Sequence, residues 1–273
     1  MALTLRVVPA LQGARWVRDG FVQFARRPLA YTLLFVMFLL AAMLLAVVPF
    51  VGGVLQMMSL PLLTLGFMIG TRQAQLDRPF GPQVFLQPFR GDASRRRSLL
   101  QLCMAYGAAA VAILLLVDAM SDQAMLRLQQ MMSRGDSTPE EVDALLAEPG
   151  VSASLLTGGL LAALLSLPFW HAPALVHWEG QRPVQALFSS TVAVWRNKTA
   201  FLVYGLTWTL VIFAFGTFTA LIFDLLGARQ LAALAALPGG LMFSTAFYAS
   251  LLATYEDSFG AAAPPDTPPQ VDL

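Results

Sequence analysis

The chain has 273 residues, of which 57% are hydrophobic and only 12% are charged. Soluble globular domains carry about a quarter charged residues, so this composition excludes an ordinary water-soluble fold. The formal net charge is +1, which gives no electrostatic basis for binding nucleic acid. A lipid bilayer is therefore the expected solvent for most of this chain.

The apolar residues are gathered in six runs of about 20 residues, the length that crosses a hydrocarbon core about 30 Å thick. These runs predict an all-α integral membrane protein with six transmembrane helices. Consecutive spans pair as three hairpins, the first and third closed by short turns and the second by a longer segment. The predicted spans are about 29–50, 54–70, 98–117, 152–176, 199–223 and 231–253, within a membrane domain over residues 29–254.

The hydrophilic segments outside the spans differ in composition. Residues 1–28 carry five arginines and three large aromatic side chains, which predict a cytoplasmic amphipathic segment lying in the membrane interface. Similar mixtures of aromatic and basic residues over 82–97 and 183–198 predict a short interfacial amphipathic segment before spans three and five as well. Residues 118–150 predict an outer-face helical insert, whereas the Pro-rich residues 255–273 are typical of a disordered cytoplasmic tail.

The distribution of Lys and Arg predicts the orientation, because positive residues are retained on the cytoplasmic side of a membrane. With the N-terminus inside, fourteen of the 17 cations lie in the cytoplasm, and only Arg127, Arg134 and Arg229 lie outside. Eight acidic residues accompany these three arginines on the outer side. Six spans then place both termini in the cytoplasm.

His171, His177 and Glu179, at the end of the fourth span, are the nearest approach to a metal-ligand cluster. Six residues turn a helix by about 600°, so the two imidazoles point apart unless Pro173 breaks the helix between them. No further histidine completes a set of three or four ligands. We therefore predict no metal, no cofactor and no catalytic residue, and an enzyme would require these three side chains to converge.

Ion-coupled transport usually needs ionisable groups at membrane depth, and none of the six runs has one near its centre. Pro168 and Pro173 in span four, and the Pro-Gly-Gly at 238–240 in span six, fit either the broken helices of transporters or simple packing kinks. A cavity at mid-membrane depth would favour transport, and a solid apolar core would exclude it. The polar residues expected to line such a cavity are Ser166, Ser244 and Thr245.

Arginine clusters at the cytoplasmic ends of the spans set the topology and are also able to bind anionic lipid headgroups. Each basic residue near the membrane surface contributes about 1 kcal/mol to such binding. The candidate headgroup ligands are Arg26, Arg27, Arg95, Arg96, Arg97, Arg196 and Lys198.

Residues 13–31, 47–72 and 169–205 together resemble an uncharacterised family of proteobacterial polytopic inner-membrane proteins. The resemblance implies the layout and a location in the bacterial inner membrane, and it supplies no catalytic residue. It is most specific at Pro173, Ala174, Pro183, Ala186, Arg196 and Asn197.

Two functions remain open at this point. The absence of a catalytic constellation, together with the clustered arginines, favours a non-enzymatic protein that acts through contacts with lipids, another membrane protein or itself. The alternative is a small-solute or lipid transporter or channel with its site between the kinked spans four and six.

Overall fold

The computed structural model describes residues 5–120, 130–131, 141, 144–145, 147–228 and 231–260. Within these residues the chain is helical and contains no β-strand. Two short 3-10 turns, Pro82–Phe85 and Gln87–Phe89, precede the fifth of ten α-helices in this part of the chain. The helices are α1 Gln12–Arg26, α2 Pro28–Ala46, α3 Gly52–Met58, α4 Leu60–Gln75, α5 Ala93–Met120, α6 Pro149–Phe169, α7 Ala172–Glu179, α8 Pro183–Arg196, α9 Lys198–Leu225 and α10 Ala232–Phe259.

Six described segments are long and apolar enough to cross a membrane, which confirms the predicted all-α architecture with six spans. The second span consists of α3 and α4, and the fourth consists of α6 and α7, so both contain a break. Consecutive spans contact each other in all three predicted hairpins. The spans are Pro28–Ala46, Gly52–Gln75, Ala93–Met120, Gly150–Glu179, Lys198–Leu225 and Ala236–Phe259.

Several boundaries differ from the predicted ones. α10 continues to Phe259, past the predicted end at 253, because Tyr255 and Ser258 are buried against the bundle and hold its last turns. The tail predicted over 255–273 is therefore helical up to Phe259, and its remainder from 261 lies outside the described residues. Most of the insert predicted over 118–150 also lies outside them. The segment before span three contains two 3-10 turns, Pro82–Phe85 and Gln87–Phe89.

The two ends of the bundle differ in charge. We call one end the basic end; it comprises α1, the segment 76–97 and the connection from α7 through α8 to α9. Backbone and side-chain hydrogen bonds join these segments, including those from Arg6 to α10 and from Arg95 to α7. The acidic end comprises the opposite ends of the six spans.

The packed core lies in the half of the bundle near the basic end. Tyr31, Leu34, Phe67, Leu252 and Tyr255 are fully buried there, contributed by spans one, two and six. Toward the acidic end the spans present large apolar side chains on their outer faces, which hydrocarbon would cover in a membrane. Such exposed residues include Val47, Phe50, Leu115, Leu156, Phe213 and Leu225.

α1 packs on α9 and α10 instead of lying only in the membrane interface. Its buried residues Gly13, Trp16, Val17 and Gly20 recur at helical spacing along one face. A side chain at Gly13 would meet the carbonyl oxygen of Ala200, so the missing Cβ lets α1 approach the α9 backbone directly. The amphipathic segment is thus present, and its apolar face is used inside the bundle.

Candidate functional site

A cavity of about 420 Å³ opens at the basic end, between spans two, three and four. Three arginines from separate segments line it: Arg72 of α4, Arg78 of the following loop and Arg95 of α5. Glu179 is the one acidic residue among its described lining residues. The cavity therefore carries an excess of positive charge, which suits an anionic ligand. Its remaining lining residues are Ile69, Gln73, Leu76, Gln87, His177 and Trp178.

The guanidinium of Arg72 is oriented by an aromatic ring. Arg72 shares one face of α4 with Ile69 and Leu76, at helical spacings of three and four residues that direct this face toward α7. Its guanidinium carbon lies 5.1 Å from the ring centroid of Trp178. Such a cation–π contact contributes about 0.5 to 2 kcal/mol. Arg72 also interacts electrostatically with Glu179 and with Glu256 of α10, so its charge is partly compensated.

Arg95 is held by the C-terminal turn of α7. Its Nη1 donates a hydrogen bond of 3.1 Å to the carbonyl oxygen of His177. The last carbonyls of a helix lack intrahelical partners and favour a nearby cation. α7 ends at Glu179 and is followed by Gly180, whose φ of +64° is the left-handed conformation that glycine adopts without strain. Helix termination and arginine placement are thus coupled.

The loop after α4 closes one side of the cavity. The chain reverses at Asp77, and Phe80 and Val84 then anchor the loop in the core. Gln73 Nε2 donates a hydrogen bond of 3.2 Å to Gln87 Oε1 across the loop. Arg27 Nη1 donates a 2.7 Å hydrogen bond to the carbonyl oxygen of Arg78, and Arg27 Nη2 lies 3.3 Å from Asp77 Oδ1.

Of the seven cations predicted as headgroup ligands, only Arg95 lines this cavity. Arg27 instead supports the loop that carries Arg78. The ammonium nitrogen of Lys198 lies 5.2 Å from the ring centroid of Trp195, on a different helix pair. Arg72 and Arg78 are not among the predicted ligands, because in the sequence they stand out only as cations on the cytoplasmic side of the spans. The four other predicted cations, Arg26, Arg96, Arg97 and Arg196, are exposed side chains of α1, α5 and α8.

The two histidines have different surroundings. His171 is fully buried, and its Nε2 lies 3.1 Å from Thr254 Oγ1. Thr254 donates its own hydroxyl to Leu251 O, so the neutral tautomer of His171 with a proton on Nε2 fits this contact. His177 faces the basic cavity instead. Across the described residues, no group of three or more His, Cys, Asp and Glu is placed to hold a metal ion.

A second cavity, of about 170 Å³, lies where the two broken spans meet. Leu60 and Pro61 line it just after the break in span two, and Phe169 and Trp170 line it at the break in span four. Ser166 is the one predicted transport residue among its lining residues, since Ser244 and Thr245 do not reach it. Its remaining lining residues are Thr64, Tyr106, Phe247, Tyr248 and Leu251.

The break in span four lies between Pro168 and Pro173 and contains an inserted hydroxyl. Ser190 Oγ of α8 donates a 3.0 Å hydrogen bond to Leu167 O and accepts one of 3.0 Å from the backbone N–H of His171. In a continuous helix this N–H would bond Leu167 O directly. The inserted hydroxyl therefore replaces one backbone hydrogen bond of the helix. Kinks commonly arise at such insertions.

A probable inner membrane protein of Burkholderia thailandensis is 32% identical to this chain over 259 residues, which cover 94% of each protein. The chain belongs to the family of this inner-membrane protein. The resemblance seen in the sequence is thereby confirmed, and the chain is a multi-pass membrane protein. No family model and no solved structure matches this chain.

Proposed function

We propose that this protein is a non-enzymatic component of the bacterial inner membrane that binds the headgroup of an anionic phospholipid in the basic cavity. The observation that supports this function is the convergence of Arg72, Arg78 and Arg95 on one cavity beside a single lining carboxylate, Glu179. Arginine is suited to the task, because its planar guanidinium can form two parallel hydrogen bonds to a phosphate.

The position of the cavity along the spans supports the same ligand. Arg72 lies near the end of span two and Arg95 near the start of span three, at the level where lipid headgroups meet the hydrocarbon. By the positive-inside rule this basic end faces the cytoplasm, whose membrane leaflet is negatively charged. Trp178, on the cavity wall, is a residue type enriched at that interface.

Native mass spectrometry of the protein with added phosphatidylglycerol or phosphatidylcholine tests this function. Replacing Arg95 or Arg78 by Gln should remove about 1 kcal/mol of headgroup attraction, which corresponds to about fivefold weaker phosphatidylglycerol binding. Phosphatidylcholine binding should not change. Arg96→Gln is the matched control, because Arg96 is an exposed neighbour on the same helix that does not line the cavity.

An equal loss in Arg96→Gln and Arg95→Gln would contradict the headgroup site, since only general surface charge would then be at work. Saturation of the site by soluble glycerol phosphate, with no preference for the intact lipid, would instead identify a phosphorylated solute as the ligand.

A transporter is the second candidate, favoured by the cavity at the two helix breaks. In secondary transporters, substrate sites are commonly formed where discontinuous helices meet near mid-membrane. Labelling of Ser166→Cys by a water-soluble thiol reagent tests it, in a background with the buried Cys103 replaced by Ala. Reaction from the aqueous phase is expected of a transport pathway, and complete protection in every condition would contradict one.

A further inference from the structure

An apolar groove of about 310 Å³ lies between α5 and α6, in the half of the bundle near the acidic end. Tyr106 is its one lining residue with a polar group. Small residues on both helices, among them Ala110, Gly159 and Ala162, leave the space that makes it concave.

Two neighbouring glycines show how the groove is shaped. A Cβ added at Gly158 would lie 2.8 Å from Val117 Cγ2, so the two helices are in close contact there. A Cβ added at Gly159 meets no atom within 4 Å, because it would project into empty space. The groove therefore lies directly beside a tight helix contact and is not a sign of loose packing between these helices.

The groove adjoins the cavity at the two helix breaks. Leu60 and Tyr106 line both this groove and the cavity at the two helix breaks. A flexible apolar molecule that extended from the groove into this neighbouring cavity would lie beside Phe169 and Trp170.

The length of the groove matches one leaflet of a bilayer. Val117 and Tyr106 are eleven residues apart on α5, a distance of about 16 Å at 1.5 Å per residue. This is about half of a hydrocarbon core of about 30 Å. Tyr106 is near the middle of the span Ala93–Met120, and Val117 is near its end. The groove thus runs from the membrane interface at the acidic end to the midplane.

Other occupants fit this groove less well. Water would find few of the polar partners that it needs in such an apolar lining. A transmembrane helix is about 10 Å wide, so only side chains from one of its faces, and not the helix itself, would enter a groove of about 310 Å³.

We propose that the groove between Val117 and Tyr106 binds one acyl chain of a membrane phospholipid from the leaflet at the acidic end, with the methyl end of the chain beside Trp170. Lipid tails are as apolar as the groove itself, so van der Waals packing rather than a hydrophobic driving force retains the chain. This site is independent of the proposed headgroup site, which lies at the other end of the bundle.

Photo-crosslinking in reconstituted vesicles tests the proposal. A phosphatidylglycerol with a diazirine at the methyl end of one acyl chain should label the peptides that contain Tyr106 and Trp170. The same lipid with its diazirine near the carboxyl end of the chain should label the peptides around Val117 and Leu155. This depth pattern is read on the unmodified protein and does not depend on any variant.

A variant that fills the groove provides a second test of acyl-chain binding. Gly159→Leu places a side chain in the groove without a backbone clash and should reduce midplane labelling at least fivefold. Gly205→Leu is the matched control, because Gly205 is an exposed helical glycine of α9 that also has open space around it. Thermal unfolding in the same detergent confirms that both variants are folded, and the control should label as the unmodified protein does.

Three results would overturn the proposal. One is equal labelling of the exposed α9 face around Leu206 and Leu210, which indicates bulk lipid contact only. Another is unchanged midplane labelling in folded Gly159→Leu. The third is midplane labelling by a diazirine fatty acid but not by the phospholipid, which would make a free fatty acid the ligand.

Discussion

A single hydroxyl is inserted at the break in span four, between Pro168 and Pro173. Ser190 Oγ bridges the Leu167 carbonyl and the His171 amide, two groups that would bond each other in a continuous helix. Both groups are thereby satisfied in a region with little access to water. Pro173 at the start of α7 is compatible with this break, because proline tolerates the first turn of a helix.

Removal of this hydroxyl should be costly. Ser190→Ala leaves the backbone groups of Leu167 and His171 either unpaired or forced to approach each other, and we expect a loss of about 1 to 3 kcal/mol in unfolding free energy. Denaturant titration in mild detergent measures this loss. Ser189 is adjacent to Ser190 but is only partly buried. Ser189→Ala should therefore change the unfolding free energy by less than about 0.5 kcal/mol. Equal effects of the two substitutions would contradict the bridging role.

At the scale of elements, α1 is the segment that differs most from its sequence-based expectation. Its basic and aromatic composition predicts an interfacial helix, whereas the structure packs it on α9 and α10. Trp16 Nε1 donates a 2.7 Å hydrogen bond to Asp257 Oδ2, which secures its register. The close approach depends on Gly13 and Gly20, whose missing side chains admit the opposing backbones.

Gly13→Ala tests this packing. The new methyl group would meet the backbone of Ala200, which cannot move aside as a side chain can, so we expect a destabilisation of about 1 to 3 kcal/mol. Limited proteolysis should then cut faster at Arg15 or Arg18. Gly53→Ala is the control, because a Cβ at Gly53 has no neighbour within 4 Å. Equal protease resistance in all three proteins would show that α1 is not docked in this way.

The positions of the spans can be predicted from the sequence more completely than the sites can, for physical reasons. Span positions are legible in the sequence, because crossing hydrocarbon requires a contiguous apolar run of fixed length. Pro168 and Pro173 indicate a kink in span four, but the insertion of Ser190 at this break cannot be read from the sequence, since Ser190 belongs to another helix. The convergence of Arg72 with Arg95 also depends on tertiary packing: the sequence predicts Arg95 as a headgroup ligand, whereas it assigns Arg72 to topology alone.

At the scale of the whole molecule, the charge asymmetry predicts an orientation that cysteine labelling can measure. In a Cys103→Ala background, Phe50→Cys in the fully exposed turn at the acidic end should react with an impermeant thiol reagent in intact spheroplasts. Arg18→Cys, exposed on α1, should react only after the membrane is permeabilised. The reverse pattern would invert the orientation and move the headgroup site to the outer leaflet.

The docking of α1 also sets an order of events during synthesis of the chain. Trp16 and Asp257 are 241 residues apart, so the surface that receives the first helix is synthesised last. At about 5 to 20 residues per second, α1 waits about 12 to 48 seconds for its partner. Until α9 and α10 have been made, its apolar stripe has only the membrane surface to cover it. Closure of α1 onto α10 therefore marks the moment at which the last span has been inserted.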